Sequence, residues 1–366
     1  MKKVTGMLFV ALLITSMLLL AGCGTPEEPV ATEAPVTPAI QAPTDAPTEA
    51  PAAEEPAGKT HTIGLASFQQ GNDWNLQVAQ GAKEKIAELG WEVVHTDANA
   101  DSNAQLAALE GFLTQKVDGV IVPGGMGPAL QPAIDKLIEA GIPVVTIDLT
   151  IPNAVTNIYP DAYQATELLC VYALNKMQGQ LGKYAHLGIP NSGWKAVDIR
   201  SELADKIFEI EDWTYTGMMN SGLADAVNIS MTATRSVLLA NPDLNLVYSS
   251  WGMPAVAAAR AIREAGMTDT VFVVNTDADR IVLAEMAQDD SPISAVIGQK
   301  PLVMGAMAVE ALQKAFNGDT NIPKITYAPF VVVTKNPELL PPGVETLDPV
   351  KAWEVLYPGI PYGKTD

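Results

Sequence analysis

The chain has 366 residues, of which 48% are hydrophobic, and its 42 acidic against 22 basic side chains give a net charge of −20. A chain of this length can bury a sizeable core in one or two domains, and its acidic balance excludes the basic footprint that a nucleic-acid binder needs. Two cysteines exclude a disulfide scaffold or a Cys-rich metal site, and three scattered histidines, His61, His95 and His186, argue against a histidine-built one.

Residues 1–22 start with Lys2 and Lys3, continue as the apolar run Met7 to Leu20, and end in Leu20-Ala21-Gly22 before Cys23. A basic start, an apolar centre and small residues at the cut describe an export signal. The Leu-Ala-Gly-Cys sequence resembles the bacterial lipoprotein signal, which implies that Cys23 is lipidated, a palmitate-type anchor, and becomes the mature N-terminus. The alternatives are an ordinary signal peptide and a single membrane anchor. Residues 24–58 hold eight prolines and seven acidic side chains with no basic one. Such a segment buries too little apolar surface to offset its ordering entropy, so a disordered, extended tether is expected. Cys170, in an apolar helical stretch, is expected to be a buried free thiol.

From residue 61 onward short β-rich runs alternate with amphipathic helical stretches. The periodicity predicts a strand at Thr62–Ser67, a helix from Asn75 to Leu89 closed by Gly90, a strand at Glu92–Thr96 and a helix at Asn103–Gln115. A strand at Gly119–Pro123, a helix at Pro128–Ala140 and a strand at Pro143–Asp148 follow. The pattern then restarts: helix Tyr163–Met177, strand Tyr184–Gly188, helix Val197–Glu209, strand Thr214–Met218, helix Ala224–Ala240 and strand Leu246–Ser250. Helix Pro254–Ala265, strand Thr270–Thr276, helix Ala278–Ala287 and strand Ile293–Ile297 complete that set, and helix Leu302–Phe316 and strand Pro329–Thr334 precede a Pro-rich tail. Continuously apolar strands such as GVIVP and PVVTID suit parallel sheets covered on both faces. Two successive βαβ sets predict an α/β protein of two doubly wound parallel-sheet lobes.

In open parallel sheets ligands bind beyond the carboxyl ends of the strands. The loops there carry Phe68, Asn72, Asp73 and Trp74 after the first strand, Asp148 after the fourth, Trp251 after LVYSS, Asp277 after TVFVVNT and Gln299 after SAVIG. Carboxylates accept strongly from hydroxyls, and an arginine donates in a rigid fork. Amides do both, and an indole covers an apolar C–H face. Trp194 is a further candidate for the same cleft, whereas Trp91, Trp213 and Trp353 read as core. Each candidate also has a structural reading: core packing for the tryptophans, helix capping or turn chemistry for Asp73, Asp148 and Asp277, and a pair with Asp198 or Glu202 for Arg200. Pro123-Gly124-Gly125-Met126-Gly127-Pro128 lacks the Gly-Lys-Ser/Thr ending of a phosphate loop and reads as a turn that lets backbone approach a ligand. With no Gly-x-Ser-x-Gly elbow, His-Glu-x-x-His helix or redox cysteine pair, no catalytic set assembles and no cofactor is expected.

The order TIGLASFQQGNDWN, DGVIVPGG, GIPVVTID, NPDLNLVYSS, TVFVVNTDAD and AVIGQKPLVMG resembles the type I periplasmic sugar-binding proteins of the ribose-binding group, over residues 60–335. The resemblance implies two Rossmann-like lobes joined by three hinge strands, which close on a sugar or polyol and deliver it to an ABC permease. The chain would cross between lobes near Tyr159–Asp161, Gln299 and Tyr327. The lobes would comprise 59–161 with 300–326, and 162–299 with 327–335, leaving 336–366 as a tail. It also implies ligand roles for Asn72 and Trp74, Asp148, Arg200, Asp277 and Gln299. Leu149 and Trp251 depart from the pattern, where an arginine and an asparagine often stand, and remove polar contacts. The expectation is a monomeric, lipid-anchored extracytoplasmic receptor that binds no nucleic acid. A nucleoside or furanone-type ligand, or a sensor without transport, is the alternative. A LacI-type regulator would need a helix-turn-helix before residue 60, where the export signal and tether stand.

Overall fold

The computed structural model describes residues 60–190, 192, 194–222 and 225–365. The export signal, Cys23 and the tether lie outside the described residues. Among the described residues, no helix is long and apolar enough to cross a membrane.

The first lobe is built on β1 (Thr62–Ser67), β2 (Glu92–Asp97), β3 (Gly119–Pro123), β4 (Val144–Ile147) and β5 (Asn157–Pro160), with α1 (Asp73–Glu88), α2 (Ser102–Gln115) and α3 (Gly127–Glu139) between the first four. The second holds α4 (Ala162–Lys176), β6 (Lys183–Gly188), α5 (Lys195–Ile210), β7 (Thr214–Asn220), α6 (Ala226–Ala240), β8 (Leu246–Ser249), α7 (Gly252–Glu264), β9 (Phe272–Thr276), α8 (Arg280–Met286) and β10 (Ile293–Gln299). The chain then returns to the first lobe through α9 (Pro301–Phe316) and β11 (Ile325–Ala328). It ends on the second with β12 (Phe330–Thr334), β13 (Thr346–Leu347) and α10 (Pro349–Leu356).

The first sheet has six parallel strands in the order β11-β5-β4-β3-β1-β2. The second has seven, β13-β12-β10-β9-β8-β6-β7, with only β12 antiparallel to its neighbour β10. These are the two parallel-sheet lobes of the sequence reading. The chain passes between the sheets at Asp161, Lys300 and Pro329.

Each sheet is covered on both faces, so inner strands such as β3 and β4 are buried along their whole length. Ile63, Leu65, Ile121, Val145 and Ile147 pack under α1 and α9, while Ala66, Val120, Val122 and Val144 pack under α2 and α3. In the second lobe α4 and α5 cover one face, with Tyr184, Phe208, Trp213 and Tyr248 in contact. The other face is covered by α6, α7, α8 and α10. Cys170 is buried and free, and burial pushes its thiol well above the ordinary range. α1 and α9 approach backbone to backbone: a Cβ at Gly81 would lie 1.9 Å from the Leu302 carbonyl oxygen, and one at Gly305 2.1 Å from that of Val78.

The segment after Thr334, which the sequence left as a tail, is structured. Trp353 is 1% exposed and joins Leu356 and Tyr357 in the core of the second lobe. Trp91 packs with His61 and Phe316, and Trp213 stacks on Phe208.

Candidate functional site

Asp148 directly follows β4 in the left-handed region, at φ 52°, a conformation that Asp and Asn tolerate better than most residues. The loop that carries it is clamped from below. The Thr146 hydroxyl donates to the Leu149 carbonyl (2.7 Å), the Asn157 carboxamide accepts from the Ile151 amide (2.6 Å), and Asn157 Nδ2 donates to the Ile151 carbonyl (3.1 Å). Asp148 Oδ1 is buried and has no hydrogen-bond partner among the described residues. Desolvation pushes its carboxyl up to about 6; Arg200 opposes the rise and Asp277 adds to it. A carboxylate of the first lobe thus lies in the field of two charged groups of the second.

Arg200 stands on the second turn of α5 and is 4% exposed. Its Nη1 donates to the Ser250 carbonyl (3.1 Å) and lies 3.6 Å from Asp277 Oδ2. Tyr248 Oη, donating to the Arg200 carbonyl at 3.1 Å, holds that turn against β8. Arg200 Nε is buried and has no partner among the described residues. Asp277 directly follows β9 at φ 79°. Burial raises its carboxyl, while Arg200, Gln299 and the backbone amide of Gly252, at the N-terminus of α7, act in the opposite sense.

Gln299, at the end of β10, connects the lobes. Its Nε2 donates to Asp277 Oδ1, and its Oε1 accepts from Trp74 Nε1 at 3.0 Å. One chain of contacts therefore runs Trp74–Gln299–Asp277–Arg200, with Asp148 beside its far end.

The remaining candidates are placed differently. Asn72 caps α1, accepting from the Asn75 amide at 2.9 Å in an exposed position. Asp73 is held in a two-pronged ion pair with Arg280 of the second lobe, both contacts at 2.8 Å. Phe68 is half-buried after β1. Trp194 and Trp251 occupy the N-cap positions of α5 and α7, and Trp251 Nε1 donates to the Ser221 hydroxyl at 3.0 Å, which pins its ring. Leu149 is 5% exposed in the first-lobe core. Arg200 pairs with neither Asp198 nor Glu202; Asp198 accepts instead from the Ser192 hydroxyl and amide.

Sequence reasoning missed Thr146 and Asn157, whose side chains bond the backbone of the Asp148 loop, and Ser250 and Gly252, whose backbone groups reach Arg200 and Asp277. It also missed Asp279, whose carboxyl is pushed up to about 8 by burial, with Asp277 and Asp73 nearby and Arg280 opposing. The glycine turn after β3 accommodates a side chain. Gln105 Nε2 bridges the carbonyls of Ala66 and Gly124, and a Cβ at Gly125, where φ is 116°, would lie 2.3 Å from Gln105 Oε1. Among the described residues no group of three or more His, Cys, Asp or Glu side chains is arranged to hold a metal ion.

A family described as "Periplasmic binding protein domain" matches residues 63–320. The ribose import binding protein of Bacillus subtilis is 24% identical over 280 residues, covering 76% of this chain and 88% of that protein. Among solved structures, an ABC sugar transporter subunit from Rhodobacter sphaeroides superposes with a TM-score of 0.69 at 23% identity, over 75% of this chain and 98% of that one. An ABC transporter solute-binding protein from Agrobacterium vitis with bound allitol superposes at 0.68 with 21% identity, over 76% and 97%. With its sheet order, its three crossings and a match over more than half its length, the chain belongs to the periplasmic binding protein family.

Proposed function

We propose that this protein is the solute receptor of an ABC importer and closes its two lobes on a sugar or polyol. The observation that carries the reading is the buried set Asp148, Arg200 and Asp277. It gathers acceptors and donors from both lobes at the carboxyl ends of the strands, with Asp148 Oδ1 and Arg200 Nε still unpaired among the described residues. A buried polar group without a partner costs about 1–3 kcal/mol, and a polyhydroxylated solute supplies the donors and acceptors that both atoms need. Relatives named for ribose import and a neighbour holding allitol support the same class.

The mechanism is a population shift. A solute reaches Asp148 on one lobe and Arg200 and Asp277 on the other only when the lobes are together, so its binding energy favours the closed form. The Trp74–Gln299 bond ties the first-lobe helix to the end of a second-lobe strand, so the approach of the lobes and the placing of Asp277 are coupled. The same reading makes the protein a monomeric binding subunit rather than an enzyme, tethered outside the membrane through lipidated Cys23 and handing solute to a permease. Trp251 and Leu149, where polar groups would be expected, favour a second reading: a ligand with an apolar face, such as a nucleoside.

Calorimetric titration of the purified protein against pentoses, hexoses, polyols and nucleosides tests the proposal. Heat with a sugar or polyol, lost in Asp148→Ala, is expected; a nucleoside alone producing heat selects the second reading. No heat with any of them contradicts both.

A further inference from the structure

The segment beyond Thr334 lies past the family match, which ends at residue 320, and it does more than complete the second-lobe core. Its helix α10 ends at Leu356, whose carbonyl accepts a 2.6 Å bond from Nε2 of Gln77 on α1 of the first lobe. Farther on, the Lys364 carbonyl accepts from Arg280 Nη1 at 2.9 Å. The same guanidinium holds Asp73, also on α1, through Nε and Nη2. The segment is anchored to the loop that carries Asp277, because Tyr357 Oη donates to the Ala278 carbonyl at 3.0 Å. Trp353 Nε1 donates to the Ile360 carbonyl at 2.9 Å and holds the final turn in place.

We propose that residues 336–365, with Arg280, form a latch that grips Gln77 and Asp73 of the opposite lobe and sets solute affinity without touching the solute. The inference rests on the reading that solute binds between the lobes. Contacts between two hinged bodies exist only when the bodies are together, so they add to the stability of the closed form alone. The apparent affinity of a closed-form ligand scales with the closed fraction. Charge makes the latch sensitive to Arg280 in particular. Asp279 on the second lobe lies in the field of Asp73 on the first, and the Arg280 guanidinium is paired with Asp73. Without it, the Asp73 carboxylate loses its counter-charge in a poorly solvated gap. The Gln77 bond is neutral and its removal has the smaller effect.

The test uses the full chain carrying Cys23→Ala, with spin labels at Glu84→Cys and Asp289→Cys, exposed positions on the two lobes; Cys170 is buried and stays unlabelled. Inter-lobe distances are measured without solute in the parent, Gln77→Ala, Arg280→Ala and the charge exchange Asp73→Arg with Arg280→Asp. The parent is expected to hold a short-distance population that Arg280→Ala reduces about tenfold and Gln77→Ala reduces several-fold. The charge exchange should recover it in part, which a variant that merely damages the fold would not do. D-ribose, D-allose and allitol are then titrated, and each that binds the parent should bind Arg280→Ala about tenfold more weakly. Distance distributions that are the same in parent and variants overturn the latch. If none of the three solutes binds the parent while the distances still shift, the latch stands and the choice of solute class fails.

Discussion

Asp148→Asn separates stability from binding. The carboxyl is buried and is displaced from 3.8 to about 6, with desolvation as the largest cause. At 1.36 kcal/mol per pKa unit this corresponds to about 3 kcal/mol against the ionised folded form. The displacement is upward, so the penalty is absent below pH ~4, where the carboxyl is protonated folded or unfolded, and complete above pH ~6. Asparagine keeps the shape and tolerates the left-handed backbone at φ 52°, but its Nδ2 donors carry a desolvation cost of about 1 kcal/mol or more. The ligand-free variant should therefore be more stable than the parent by about 1–2 kcal/mol at pH 8, with the gain vanishing toward pH 4. The sugar loses a charge-assisted hydrogen bond worth about 1.5–3 kcal/mol, so affinity should fall tenfold to a hundredfold. Urea unfolding at pH 4, 6 and 8 and calorimetric titration with sugar measure the two effects. A variant less stable than the parent at pH 8, or one that binds as tightly, refutes the reasoning.

Other outcomes follow from the same geometry. Trp74→Phe keeps the ring but removes the donor to Gln299 Oε1, so sugar affinity should fall about tenfold with little change in melting temperature; an unchanged affinity in titration argues against the coupling. Arg200→Lys loses the fork that reaches the Ser250 carbonyl and faces Asp277, and binding should weaken at least tenfold, measured by the same titration. Gly305→Ala drives a methyl to 2.1 Å from the Val78 carbonyl oxygen and should cost about 1–3 kcal/mol, a melting temperature lower by roughly 5 °C in calorimetry. Raising the pH from about 4 to about 8 should progressively weaken closure, with no further loss above that, because the Asp279 carboxyl is pushed up to about 8 in the contacted form. Asp279→Asn should flatten that dependence in the inter-lobe distance measurement.

Much of the fold is legible in the chain because two kinds of signal agree. TIGLAS is apolar between its end residues and GVIVP throughout, and both form strands over the expected residues. The strands β5 and β11, four residues each, escaped because NIYP and ITYA carry no periodicity long enough to read; they are held by pairing side by side at the edge of the first sheet. The helix expected from Ala278 begins at Arg280, because its N-cap Asp279 has an extended backbone (φ −57°, ψ 155°) that a helix cannot include. α10 hid among prolines, and only its packing against the second lobe reveals Trp353 and Leu356 as core.

The strand-end rule drew attention to Asp148, Asp277 and Gln299, which the structure brings into one contact chain or its field. It has no means of telling a cap from a contact, and Asn72 caps α1. Nor does it reveal a partner 207 positions away in sequence, which is where Asp73 finds Arg280. Thr146 and Asn157, which hold the Asp148 loop through backbone groups, leave no motif at all.

The central claim is that one solute is held by both lobes at once. A crystal structure of protein purified from its producing cells, with any co-purified solute retained, tests it most directly. The account predicts a sugar or polyol whose hydroxyls bond Asp148 on one side and Arg200 or Asp277 on the other. A solute seated on one lobe alone, or a ligand whose contacts leave Asp148 and Arg200 untouched, would contradict it.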